Sequence, residues 1–104
     1  MRGVLTISVL AVVAEEETYG YAIGRRLHGA GLGSVKGGTL YPILTRLEQD
    51  GLIASRWQPG EAGPGRKYFR VTPAGRASLR HLCADWTTFT ERVSALLRTG
   101  KASR

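Results

Sequence analysis

A mostly α-helical fold with one small β-hairpin is predicted by three observations. Residues 38–53 read Gly-Thr-Leu-Tyr-Pro-Ile-Leu-Thr-Arg-Leu-Glu-Gln-Asp-Gly-Leu-Ile, in which Leu40, Ile43, Leu44 and Leu47 recur at i, i+3, i+4 and i+7 and form one apolar helix face. A Gly-rich, basic hairpin follows at once. Leu79, Leu82, Trp86, Phe89, Val93 and Leu96 then alternate at three- and four-residue spacing, a heptad seam on a last, long helix. A short amphipathic helix followed by a basic hairpin makes the sequence shape of a winged helix-turn-helix over residues 1–72. A C-terminal dimerisation helix and tail occupy 73–104.

The first helix is expected from about Gly3 to Glu15. Val4 to Ala14 is a run of apolar and small residues, so the helix is covered on most sides, by its own domain and a partner's last helix. Only Arg2 precedes the run, Glu15-Glu16-Glu17 follows it without a cleavage signature, and it is too short to span a bilayer. A buried helix is expected there, not a leader or a membrane anchor. Thr18 is the expected N-cap of a second helix running to about His28, anchored by Ile23 and Leu27. Gly20 and Gly24 each lower its helix propensity by about 1 kcal/mol relative to alanine, which close packing against a neighbouring helix would explain.

Gly29 to Gly37 is a Gly-rich loop. The third helix starts near Gly38 or Thr39, with Pro42 in its first turn, where proline is tolerated. Gly51 stops it. Ile53 to Gln58 and Arg66 to Val71 read as strands joined by a wing loop, Pro59 to Gly65, with Trp57 and Tyr68 expected to pack across the hairpin. Thr72-Pro73 opens the last helix, an N-cap followed by proline at the first position. From Pro73 to Arg98 it would be about 39 Å long, more than a small winged helix can cover by itself. The same helix of a second copy is the natural partner, and residues 99–104 are expected to fray.

The chain has 104 residues, 15 Lys and Arg and 8 Asp and Glu, a net charge of +7. The excess is localised: residues 18–80 hold ten basic and three acidic side chains. Positive charge over the helix-turn-helix and hairpin suits a polyanion. One cysteine, Cys83, permits no intrachain disulfide, points to a reducing compartment, and is expected to be a small packed residue. His81 and Cys83 diverge on a helix and His28 has no ligand-spaced partner, so no metal or other cofactor is expected. No paired carboxylates, no nucleophile with a base at readable spacing and no phosphate-binding glycine loop argue for an enzyme. A winged-helix protein adaptor without specific DNA binding is the alternative, disfavoured by the basic wing. RNA binding lacks an aromatic stacking platform.

Several of these segments together resemble the PadR family of transcriptional regulators. Gly38-Thr39-Leu40-Tyr41-Pro42, Arg46-Leu47-Glu48 and Gly51-Leu52 are similar to its signature. Tyr19-Gly20-Tyr21 resembles the start of its second helix, Gly65-Arg66-Lys67-Tyr68-Phe69 its wing, and Thr72-Pro73-Ala74-Gly75-Arg76 the start of its last helix. The resemblance covers roughly residues 2–98. It departs at Tyr19, where histidine is common, and at Val35-Lys36-Gly37-Gly38. It implies a short-type, cytoplasmic bacterial homodimer that represses transcription from an inverted-repeat operator and is released by a small planar or phenolic effector.

The residues assign roles within that frame. A recognition helix places its N-terminal half against base edges. Arg46 can read guanine or grip phosphate, or else pair with Asp50, a contact of about 0.3–0.5 kcal/mol when exposed. Thr39, Tyr41, Pro42 and Thr45 share the outward face. Lys36 precedes the helix, and Arg66 and Lys67 sit at the wing, where phosphate is in reach. By resemblance the start of the second helix approaches the DNA backbone, so Tyr19 is the expected contact, while Tyr21 is equally readable as core. Leu79, Leu82, Trp86, Phe89, Val93 and Leu96 are the expected dimer interface. Trp86 carries two readings: a core anchor of the dimer or, by resemblance, a wall for a planar aromatic effector.

Overall fold

Apolar side chains at helical spacing organise residues 3–60 and 65–102, which this computed structural model describes. Helix α1 spans Gly3–Glu15 and turns Val9, Leu10 and Val13 inward. The next two residues depart from expectation. Thr18–Tyr19 is not a cap but a short strand, β1, pairing antiparallel with Phe69 and Tyr68. A β-branched and an aromatic residue suit a pleated, half-buried position, and the edge of the hairpin offers hydrogen-bond partners that a free helix end would lack. Helix α2, Gly20–Leu27, therefore starts from an extended Tyr19 with no side-chain cap. It continues into a π-helical turn, His28–Leu32, broken at Gly31. The Gly-rich connection thus begins later than the composition suggested.

Helix α3 spans Gly37–Gln49. The carbonyl of Lys36 accepts from the N–H groups of Thr39 and Leu40, both at 2.9 Å, so the helix begins one residue earlier than expected and Pro42 lies in its second turn. The helical donor to Gly38 that proline lacks is missing on an exposed face, where water can replace it. The helix ends in a Schellman motif: Gly51, at φ +76°, donates to Glu48, and Leu52 donates to Leu47, each at 3.0 Å. Glycine meets that backbone conformation without a Cβ penalty.

Strands β2 (Ile53–Gln58) and β3 (Arg66–Val71) have the expected bounds, and the sheet runs in the order β1-β3-β2. The expected wing loop at 59–65 lies outside the described residues between 61 and 64. Register corrects one expectation: Trp57 faces Lys67, and Tyr68 faces Arg56. Trp57 and Tyr68 therefore point to opposite faces of the hairpin, because side chains alternate along a strand.

Ile53 and Phe69 close one core with Val9, Leu10, Val13, Ile23, Leu27, Leu40, Leu44 and Leu47. Thr72 links the end of α3 to the start of α4 (Pro73–Ala102): its hydroxyl accepts from the Gly75 N–H at 3.0 Å and donates to the Gly51 carbonyl at 2.6 Å. Helix α4 passes the expected end at Arg98, with Thr99 donating back to Ala95 at 2.9 Å; residues 103 and 104 lie outside the described part. Thirty residues make it about 45 Å long, which sets the 62 Å long axis of the molecule. Leu79 and Leu82 pack against the chain's own core, whereas Trp86, Phe89, Val93, Leu96 and Leu97 are exposed in the single chain. Cys83 is exposed, not packed. Among the described residues no helix is long and apolar enough to cross a membrane.

Two members of the acidic run at the end of α1, Glu15 and Glu17, have structural partners. Glu15 accepts two hydrogen bonds from Arg26 of α2, at 3.0 and 2.8 Å. Glu17 accepts two from Arg56 of β2, both at 2.8 Å. The Arg56 hydrogen bond holds the Glu17 carboxyl below its ordinary value against a smaller opposing effect of desolvation, and the charges of Arg56 and Arg70 add to it. A carboxyl depressed in the folded chain contributes stability above its unfolded pKa of about 4.3 and loses it as pH falls through the folded value. Thermal unfolding of the parent and of Glu17→Gln is therefore expected to differ near neutral pH and to converge in acid below that folded value. A difference that persisted there would place the effect elsewhere.

Candidate nucleic-acid interface

The buried positions of α3 dictate what its other side presents. With Leu40, Leu44 and Leu47 held in the core, Thr39, Tyr41, Pro42, Thr45, Arg46 and Gln49 are left on the exposed face. Thr39 and the exposed Lys36 stand at the N-terminal end of the helix, where free N–H groups and the helix dipole favour an anion. Arg46 lies one turn before Asp50, with its Nε 3.2 Å from a carboxylate oxygen. Both side chains are well exposed, and such a pair gives way readily to a better acceptor.

Tyr41 does more than stand on the surface. A Cβ on Gly20 would lie 2.8 Å from its Cζ atom, so glycine at the start of α2 leaves the room that the Tyr41 ring occupies. The tyrosine is thereby fixed across the junction of α2 and α3 with half of its surface still exposed.

The wing side is built on two sheet faces. On one, Tyr19 and Tyr68 meet edge to face with ring centres 5.4 Å apart, Arg66 stacks 4.2 Å above Tyr19, and Arg56 lies 5.2 Å from Tyr68. Tyr19, the expected contact, is half-buried within this ladder. On the other face Glu48 of α3 joins both strands: one oxygen accepts from the Ser55 hydroxyl at 2.5 Å, and the other lies 3.6 Å from the Lys67 ammonium. Lys67 is consequently turned back toward α3, whereas Arg66 is exposed. Arg26 and Arg56, counted in the basic balance of residues 18–80, are engaged by Glu15 and Glu17, so part of that charge holds the fold together.

The structure adds aromatic residues that the sequence reading left out of the interface. Tyr21 and Trp57 are each 68% exposed. Tyr21 was legible: it precedes the buried Ile23 by two residues, about 200° around the helix from the core. Trp57 needed the hairpin register. In the middle of α4, Trp86 and Phe89 lie 6.0 Å apart at a tilt. With Gly3, Ile7, Leu82 and Asp85 they line an open cavity of about 320 Å³.

Comparison with known proteins places this geometry. Residues 9–81 match the model of the transcriptional regulator PadR-like family. The transcriptional regulator Rv3488 of Mycobacterium tuberculosis is 40% identical over 78 residues, which cover 75% of this chain and 71% of that protein. The crystal structure of a PadR family transcriptional regulator from Eggerthella lenta superposes with a TM-score of 0.84 at 40% identity, covering 92% of this chain and 83% of the other. That of a PadR-like transcription factor from Bacteroides fragilis gives 0.80 at 36% identity, covering 90% of each chain.

Proposed function

Because this chain belongs to the PadR-like family of transcriptional regulators, we propose that it is a cytoplasmic, dimeric repressor that binds an inverted-repeat operator in duplex DNA. One observation carries this reading: the outward face of α3, from Thr39 to Gln49, is exposed, and Glu48 of the same helix reaches the wing at Lys67. In this reading α3 enters the major groove. Arg46 leaves Asp50 for a guanine edge, while Lys36, Thr39 and Arg66 hold phosphates. The exposed seam of α4 meets its equivalent in a second copy, which spaces two recognition helices about one helical turn, ~34 Å, apart.

Fluorescence anisotropy with labelled duplexes tests the function. The parent is expected to prefer an operator over random DNA and to lose affinity as salt rises, through counterion release. Arg46→Ala is expected to weaken operator binding by about 1–3 kcal/mol and random DNA much less. Equal operator binding by this variant would remove Arg46 from base recognition. A parent without affinity for duplex DNA would favour an adaptor role instead.

The cavity beside Trp86 supports a second element of the proposal, release by a small planar aromatic effector that slides against the indole. Such a compound is expected to quench Trp86 emission and lower operator affinity together. No quenching across a panel of planar cations and phenolics would leave Trp86 a packing residue.

A further inference from the structure

Between the start of α2, the outward face of α3 and the base of the wing lies an open cleft of about 380 Å³. Its walls are Tyr19, Tyr21, Tyr41, Trp57, Arg66 and Lys67, and among the described residues no carboxylate lines it. Trp57, like Tyr21, is a large side chain in it that the core leaves uncovered. It shares the sheet face of Ile53 and Ser55, but where Ile53 enters the core and Ser55 bonds Glu48, Trp57 projects past the end of both, 68% exposed, opposite Lys67. A large indole held in water contributes little to the stability of the single chain.

Aromatic walls with the exposed Arg66, and with a Lys67 whose 3.6 Å pairing to Glu48 is partly open to water, fit a polyanion whose charges are separated by flat, weakly polar units. The sugar–phosphate backbone of DNA has that composition: phosphate for Arg66, and for Lys67 where it exchanges Glu48 for phosphate, and deoxyribose faces for the rings. The path of the duplex brings it there. If α3 lies in the major groove and the wing reaches the adjacent minor groove, the strand that separates the two grooves passes between α3 and the wing. We infer that this cleft carries the backbone of one DNA strand and that Trp57 is its wall, a DNA-contact residue that packs on sugar. The inference rests on the DNA-binding reading above and adds to it the course of the strand.

The contact is neutral, so it has a signature that the cations lack. Trp57→Ala is expected to weaken binding to operator and random duplexes alike by about tenfold, as loss of an interfacial tryptophan does, with no change in the slope of log affinity against log salt. Arg66→Ala is expected to reduce that slope by about 0.9, one phosphate contact. Trp57→Phe keeps a flat ring and should keep most of the affinity; circular dichroism establishes that each variant is folded. With fluorotryptophan incorporated into the protein's two tryptophans, and Trp57→Phe used to assign the resonances, fluorine NMR should show the Trp57 signal move on addition of random duplex. A parent that binds DNA while the Trp57 resonance stays fixed and Trp57→Ala binds equally well overturns the inference and leaves the DNA-binding reading standing. A parent that binds no duplex overturns both.

Discussion

Val93→Asp is expected to yield a chain that folds but stays monomeric and loses operator binding. Val93 lies in the stretch of α4 from Trp86 to Leu97 whose apolar side chains are exposed in the single chain, so aspartate there removes no contact that the fold needs. In the proposed dimer it would bring one carboxylate from each copy into an apolar seam. Each buried, unpaired ion costs several kcal/mol, and each 1.4 kcal/mol weakens association about tenfold, so dimerisation should fall by far more than a hundredfold. Operator affinity should fall with it, because a monomer engages one half-site. Leu82 is a poorer test, since it packs on the chain's own core and its loss would confound folding with assembly. Sedimentation, with circular dichroism to establish folding, checks the result. A Val93→Asp protein that still dimerises would move the interface off this seam.

Gly75→Ala is expected to be strongly destabilising. A Cβ at Gly75 would overlap the Leu52 carbonyl oxygen and come within 2.8 Å of a Val71 methyl. That oxygen cannot simply retreat, because it accepts the Thr72 N–H at 3.1 Å. Alanine gains about 1 kcal/mol over glycine in helix propensity, while overpacking a tight site typically costs about 1–3 kcal/mol, occasionally more. Backbone in place of a yielding side chain puts this site at the upper end, so the net sign is destabilising. Each kcal/mol lowers Tm by roughly 4–8 °C in a domain near this size, and thermal unfolding would show it. An unchanged Tm would mean that the start of α4 shifts away from Leu52 at little cost.

The features legible in the sequence were those governed by local periodicity and strong backbone constraints. Leu40, Leu44 and Leu47 declared the buried face of α3 and thereby its exposed one. Gly51 marked the end of the helix, the Pro- and Gly-rich stretch from Pro59 to Gly65 separated the two hairpin strands, and Thr72-Pro73 opened α4. What escaped depends on partners distant in the chain. Thr18 and Tyr19 look like the approach to a helix, yet they pair with Phe69 and Tyr68, roughly fifty residues away. Trp57 could not be placed without the hairpin register, and the turning of Lys67 toward Glu48 depends on how the wing leans on α3. Arg56 belonged to the basic excess of residues 18–80, but Glu17, 39 residues earlier, holds it.

Selection of bound duplexes from a random pool, with the parent protein, tests the central claim most directly. Two copies joined along α4 and presenting α3 to successive turns of the major groove should enrich an inverted repeat. Its half-site centres should lie about 10–10.5 base pairs apart or a multiple of that. A pool that shows no enrichment, or an enriched site without two-fold symmetry, would contradict a sequence-specific dimeric regulator.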